Sequence, residues 1–441
     1  MPLPDYLQKA NPNSSTNRSP WYSNTAPSYA GVFLWVVFYQ ALAQGTIDHA
    51  GPLFCVGALV VAGLLSYLLC YYVPAILGMT TGHPLYVVGS STFGATGGYL
   101  MPGLLMGVLQ VGWLAVGGFL STTFILTGLG MDARPMTLRF AIVAILWGYI
   151  TGYVGVRGIQ YVAKVSLVLN AIPLLMILVV FIKMAPGLRV YHPQQIDHFA
   201  AFTLILQAVI GFFATAGAAG TDFGMNSRNL RDVKLGGLVG ISAAILYAGT
   251  LPILSVAGAH AQNPTLPFTY QATIGAVGGF MASAMFLLFA AASVTPACVS
   301  SFIAGNSFST MIPRISRMTS TMLGVTVAVA VAISGYAANL IVVFSIVGAS
   351  FGPICGAMAA DYLLAGRKWA GPRKGFNWAG YIAWAVGFVT GILPLLIPER
   401  YAMWRRYAEP AVVYSIVLGF LVYAAAAKMG LESEAVGSEL Q

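Results

Sequence analysis

Charge is the scarcest property of this chain. Of its 441 residues only 7% are Asp, Glu, Lys or Arg, while 58% are apolar. A soluble globular domain carries roughly 25% charged residues. So few charges cannot cover a water-facing surface, so most of the surface must face lipid. Cysteine is also rare. Cys55, Cys70, Cys298 and Cys355 all lie in apolar segments without paired or metal-type spacing, and they read as small core residues. His-Glu-x-x-His is absent, which excludes the usual intramembrane metalloprotease. There is no Gly-rich Lys-Ser/Thr phosphate loop and no soluble domain to hold one, so ATP-driven pumping is excluded. No filter loop repeats and no ring of charge marks a channel. Gly-x-Ser triplets such as Gly305–Ser307 are too short to define a serine enzyme, and no histidine sits clearly mid-span to serve one. No catalytic residue and no cofactor is expected. The N-terminal stretch lacks a charged-then-apolar leader with a small-residue cleavage site.

What the chain does have is long apolar runs. Phe54–Tyr72, Ile142–Val156, Leu169–Ile182 and Val325–Ala338 contain no charge. A span needs about 20 mostly apolar residues. Twelve spans are predicted, near 29–50, 53–78, 97–128, 137–156, 159–185, 200–224, 235–260, 275–305, 317–336, 338–365, 378–397 and 408–429. The net charge of +9 falls in the connections and sets topology. With the N-terminus inside, 14 of the 21 basic residues lie in tails and inner loops and 7 outside. Residues 1–28 then form a cytoplasmic tail, 29–429 the membrane domain, and 430–441 a second cytoplasmic tail. The location is the cell (inner) membrane. No basic patch interleaved with aromatics points to nucleic acid; the partners are the bilayer and a small solute.

Two spans are interrupted by Gly-rich polar sequence. The first carries AlaLeuAlaGlnGlyThrIleAspHisAlaGlyPro over 41–52. The sixth carries PhePheAlaThrAlaGlyAlaAlaGlyThrAspPheGly over 212–224. Unwound backbone survives in a membrane only where it is buried or lines a cavity. Two interrupted helices five spans apart mark a transporter built from inverted repeats, with its site at the midplane. The repeats are predicted over about 29–185 and 200–365, with two extra helices over about 378–429. Among ionisable residues within or near spans, Asp48 and His49 are candidates for carrying a coupled proton. The alternative places both at a solvated outer mouth. Asp222, near Arg228 and Arg231, and Asp361, before Arg367 and Lys368, read as structural ion pairs.

Three segments resemble the nucleobase–cation symporter family of cytosine, purine and hydantoin permeases. They are GlyValLeuGlnValGlyTrpLeuAlaValGly (107–117), GlyPhePheAlaThrAlaGly…ThrAspPhe…SerArgAsn (211–229) and GlyProIleCysGlyAlaMetAlaAlaAspTyrLeuLeu (352–364). The resemblance implies an all-α, twelve-helix, leucine-transporter-like fold and cation-coupled uptake of a planar heterocycle by alternating access. The alternatives are the same fold carrying another small solute, such as a hydantoin, allantoin or vitamin-like heterocycle, or a channel. By the resemblance, Trp113 and Phe213 stack on the two faces of the substrate and Gln110 bonds its edge. Thr215 and Ala216 match contacts at the helix break. In 290–300 the chain departs from the family: Ala292 stands where cytosine permeases carry an Asn side chain. Thr295 matches a cation-site hydroxyl, but Pro296 replaces a second one, and Ser293 is the nearest substitute. Carbonyls near Gln40, Ala43 and Ala292 complete the implied ligand set. The coupling ion is Na+ or H+, and the missing hydroxyl tilts the expectation toward H+. The physics of the pair agrees: aromatic faces stack on a flat ring, and an amide both donates to and accepts from its edge.

Overall fold

The computed structural model describes residues 3–436 and is all-helical. Eleven helices among the described residues are long and apolar enough to cross a membrane, and the chain is a multi-pass membrane protein. They match the second to twelfth expected spans. The first expected span is the exception, because it is broken. Its helix α1 runs Thr25–Leu34 and α2 runs Val36–Tyr39. The backbone of Trp35 between them is extended, with ψ 127°. The break therefore falls before the Gly-rich tract. Residues 40–50 form turns, with Gly45 at φ +72°, a left-handed conformation that glycine adopts freely.

The remaining elements are α3 (Pro52–Thr81), α4 (Leu85–Phe93), α5 (Leu105–Gly128), α6 (Leu138–Arg157) and α7 (Ile159–Met184). The second half has α8 (His198–Ala218), α9 (Gly220–Gly224), α10 (Leu230–Gln262), α11 (Gly279–Ala292) and α12 (Val294–Met311). The series ends with α13 (Arg317–Ser334), α14 (Leu340–Leu364), α15 (Trp378–Leu396) and α16 (Ala411–Lys428). Two groups of helices pack internally. In one, α5 lies against α6, α11, α12 and α13; in the other, α8 and α10 lie against α3, and α1 lies against α10. The broken first helix runs between the groups, and α14 covers α8. Most residues of α8 and α14 are buried, so these two helices form the centre rather than a lipid face.

The sixth span breaks within its Gly-rich tract, at Ala219 (ψ 4°) between α8 and α9. Thr215 and Ala216 therefore lie on regular helix, one turn before the break. The residues before Thr25 pack down rather than trail away. Tyr6 donates to the Ala95 carbonyl at 2.7 Å, Asn13 to Met225 O and Asn226 Oδ1, and Arg18 to Met79 O. The other end is also tied. Glu432 accepts from Arg373 and Tyr423, and Lys374 N–H donates to Glu434 O. Both expected ion pairs have different partners. Asp361 pairs with buried Arg373 at 2.9 Å and accepts from Ser91 and Thr92 hydroxyls. Arg228 pairs with Asp232, leaving Asp222 to accept from Leu85 N–H and Thr221.

Candidate functional site: an aromatic cage beside a polar crevice

Trp113 stands on α5 and projects between the two helix groups. Its ring centroid lies 5.2 Å from Phe212 of α8 in edge-to-face geometry, 5.9 Å from Trp35 at the helix break, and 6.0 Å from Phe344 of α14. Phe212 and Phe344 are 5.3 Å apart. All four rings are buried. The helix break admits this cage: an extended Trp35 turns its indole onto α5, where Gly117 leaves room, since a Cβ there would lie 2.6 Å from the ring.

The ring across from Trp113 is therefore Phe212, not the expected Phe213. Neighbouring residues on a helix point about 100° apart, so the two cannot share a face. Phe213 is fully buried against Phe33 (5.4 Å, stacked) and Tyr29 (5.5 Å). Ala216, three residues on, shares that face, and its carbonyl accepts from Tyr29 Oη at 2.9 Å. Thr215 instead shares the face of Phe212. Its Oγ1 is buried without a hydrogen-bond partner, and so is Nε1 of Trp35. Each such orphan costs about 1–3 kcal/mol, which a ligand edge would recover. Gln110, one turn from Trp113 on α5, is buried, and its Nε2 meets Met106 Sδ at 3.7 Å. Sulfur is a weak acceptor, so the amide keeps most of its bonding capacity. Trp35 and Phe344 were invisible as site residues in the sequence; one lies in an unbroken apolar run and the other in an apolar span.

A separate crevice opens on the other side of the break. Gly31, Leu34, Trp35 and Val36 form one wall, Asn170 and Pro173 of α7 the second, and Phe289, Ala292, Ser293 and Pro296 the third. Ala292 belongs here rather than to the cage. Helix α11 ends at Ala292 and α12 begins at Val294. Pro296 has no N–H, so the Ala292 carbonyl loses its helical donor. Ser293 Oγ donates to Phe289 O at 2.9 Å and keeps lone pairs free. Thr295 Oγ1 is buried and has no partner. Of the implied ligand set, Ala292 and Ser293 line the crevice, and Thr295 lies next to Pro296 on the same helix turn. Gln40 and Ala43 do not line the crevice. Gln40 O and Oε1 accept from the N–H groups of Tyr270 and Gln271, and Ala43 O accepts from Thr46 and Ile47. The first-helix backbone facing α11 and α12 is at 31–36 instead.

Asp48 and His49 lie apart from the cage and from the crevice. Their side chains approach at 3.1 Å and are 20% and 31% exposed. Their carbonyls accept from Gln195 and Asp197 N–H, and Tyr191 Oη donates to Ile47 O. They belong to a loop junction, where Asp48 Oδ1 and His49 Nδ1 are buried against each other. In the same junction, the Ala200 N–H and then Arg406 hold the Asp197 carboxyl below its ordinary range.

The solved structures place this architecture. The chain superposes on a nucleobase-cation-symport-1 family transporter, Mhp1, in a closed conformation with bromovinylhydantoin bound, with TM-score 0.69 and 18% identity, covering 98% of each chain. The inward-facing conformation of Mhp1 gives TM-score 0.67 at 16% identity over 97% of each chain. A substrate-bound, outward-open, Na+-coupled sialic acid symporter gives 0.58 at 14% identity, covering 95% of this chain and 92% of that one. No family model and no curated protein matches the chain. The fold is the leucine-transporter-like fold that these symporters share.

Proposed function

We propose that the chain is a secondary active transporter of the nucleobase–cation symporter kind. It imports a small planar heterocycle with a cation, Na+ or H+, by alternating access. It acts in the cell membrane with both termini cytoplasmic. The observation that carries this reading is the cage itself. Trp113 and Phe212 face each other from opposite helix groups, with the unpartnered Trp35 Nε1 and Thr215 Oγ1 and the weakly engaged Gln110 amide around them. A flat ring with a polar rim fits that combination: faces against aromatics, edge against donors and acceptors. Placing the cage between two helix groups suits a site that each group can open in turn. Mhp1 with bromovinylhydantoin bound supports a heterocycle.

The test is a thermal-unfolding screen of the purified protein against nucleobases, hydantoins and allantoin, with and without sodium. A ligand that binds the folded state raises its stability by mass action. A saturable rise for one planar heterocycle, lost in Trp113→Ala, is the expected result. No rise with any of them removes the heterocycle from the reading.

A further inference from the structure

The crevice beside the break raises a question that the cage does not answer: what compensates for the hydroxyl that Pro296 removes. The second wall of the crevice, α7, answers it. Asn170 sits in the apolar sequence LeuValLeuAsnAlaIleProLeuLeu, yet its carboxamide has no hydrogen-bond partner among the described residues. An unpartnered amide within a membrane helix is costly, and such residues mark functional positions. The amide reaches across to the first helix. A Cβ at Gly31 would lie 2.8 Å from Asn170 Nδ2 and 3.5 Å from Oδ1. Glycine at 31 is what lets the amide enter the crevice.

We propose that Asn170 is a ligand of a sodium ion held in this crevice, so that three helices rather than two coordinate it. This inference rests on the cation-coupled transporter reading above. The donor set is made of neutral oxygens: the Ala292 carbonyl freed by Pro296, backbone of the first-helix break, the hydroxyls of Ser293 and Thr295, and Oδ1 of Asn170. Hard cations take such oxygens. None of the crevice-lining residues is Asp, Glu, His, Lys or Cys. Nothing there can take up or release a proton in the physiological range, so the crevice selects a metal cation over H+. The Asn170 amide rotates by half a turn at little cost, which presents its oxygen to the ion.

The experiment reads sodium binding without any transported substrate. The unfolding temperature of the purified protein is measured in NaCl, KCl and choline chloride at equal ionic strength. The expected result is a rise specific to sodium in the wild type. Asn170→Ala should abolish it or raise the half-maximal sodium concentration at least tenfold. Asn170→Asp, which keeps an oxygen ligand, should retain it. Gly31→Ala leaves the amide in place but displaces it, and it should weaken sodium as Asn170→Ala does; this arm decides if Asn170→Ala fails to fold. Equal unfolding temperatures in all three salts overturn the proposal. So does a sodium response that survives in Asn170→Ala and vanishes in Thr295→Ala, which would leave a two-helix site. A heterocycle that stabilises the protein in choline while sodium does nothing would keep the transporter reading and remove this one.

Discussion

The edge of Phe212 meets the indole of Trp113 at 5.2 Å between centroids and 74° between planes, joining α8 to α5 across the centre of the protein. The neighbouring Phe213 makes no such bridge; it stacks on Phe33 inside its own helix group.

The two phenylalanines should therefore respond differently to truncation. Phe212→Ala should lose at least tenfold in heterocycle affinity with a modest change in unfolding temperature. Phe213→Ala removes a fully buried ring and should cost about 3–5 kcal/mol in stability. Ligand titration and thermal unfolding on the same preparations separate the outcomes. Equal affinity losses without destabilisation in Phe213→Ala would restore it as the stacking residue.

Gln110→Leu keeps the size of the side chain and removes its hydrogen bonds. An edge left unpaired in a dry site costs about 1–3 kcal/mol, so affinity should fall roughly tenfold. A fall of less than twofold in a binding titration would mean that the amide serves Met106 alone.

Thr215→Val tests an orphaned hydroxyl. The empty protein should be as stable as the wild type or more so, by about 1 kcal/mol, because a buried unpartnered group is gone. Heterocycle affinity should fall at the same time. This opposed pair of effects, read by unfolding and titration, is one that a purely structural hydroxyl would not give.

Asp48→Asn and His49→Gln should leave ion coupling unchanged, since both side chains sit at a loop junction away from the cage and the crevice. Uptake into sodium-free vesicles under an imposed pH gradient checks this. Loss of gradient-driven uptake in Asp48→Asn would return the coupling proton to that pair.

Arg373 holds Asp361 and Glu432 at the end of α14, with its guanidinium 10% exposed. Arg373→Met should destabilise by about 3–5 kcal/mol because it strands a buried carboxylate. Arg373→Met combined with Asp361→Leu should recover part of that loss. An additive double variant would show that the two charges do not depend on each other.

Much of this architecture was readable from the sequence, for physical reasons that differ by region. Apolar runs fixed eleven helices closely, because lipid tolerates few charges. The Gly-rich tract at 41–52 did mark non-helical backbone, yet the decisive break came at Trp35, inside ValPheLeuTrpValValPhe, where no glycine or proline adjoins it. Tertiary contacts with Gly117 and Trp113 set that break, and a linear pattern carries no trace of them. The resemblance named Phe213, whereas the ring that meets Trp113 is that of Phe212: a one-residue shift on a helix turns the side chain to another face. Gln40 and Ala43 were named from the Gly-rich tract, while the first-helix residues that line the crevice are 31 and 34–36. Asn170 was passed over because a single amide in an apolar span has no motif around it.

Pro173 and Pro296 face the same crevice from two different helices. Pro173 interrupts the ladder inside α7, and Pro296 stands in the first turn of α12 just after α11 ends, so both helices depart from a continuous ladder at the crevice. Whatever fills the crevice splints both weak points at once. An ion there acts as a removable pin: with it in place the two helices and the broken first helix move as one piece, and without it each bends on its own. An ion bound there would set the cost of opening one side of the protein from beside the break in the first helix.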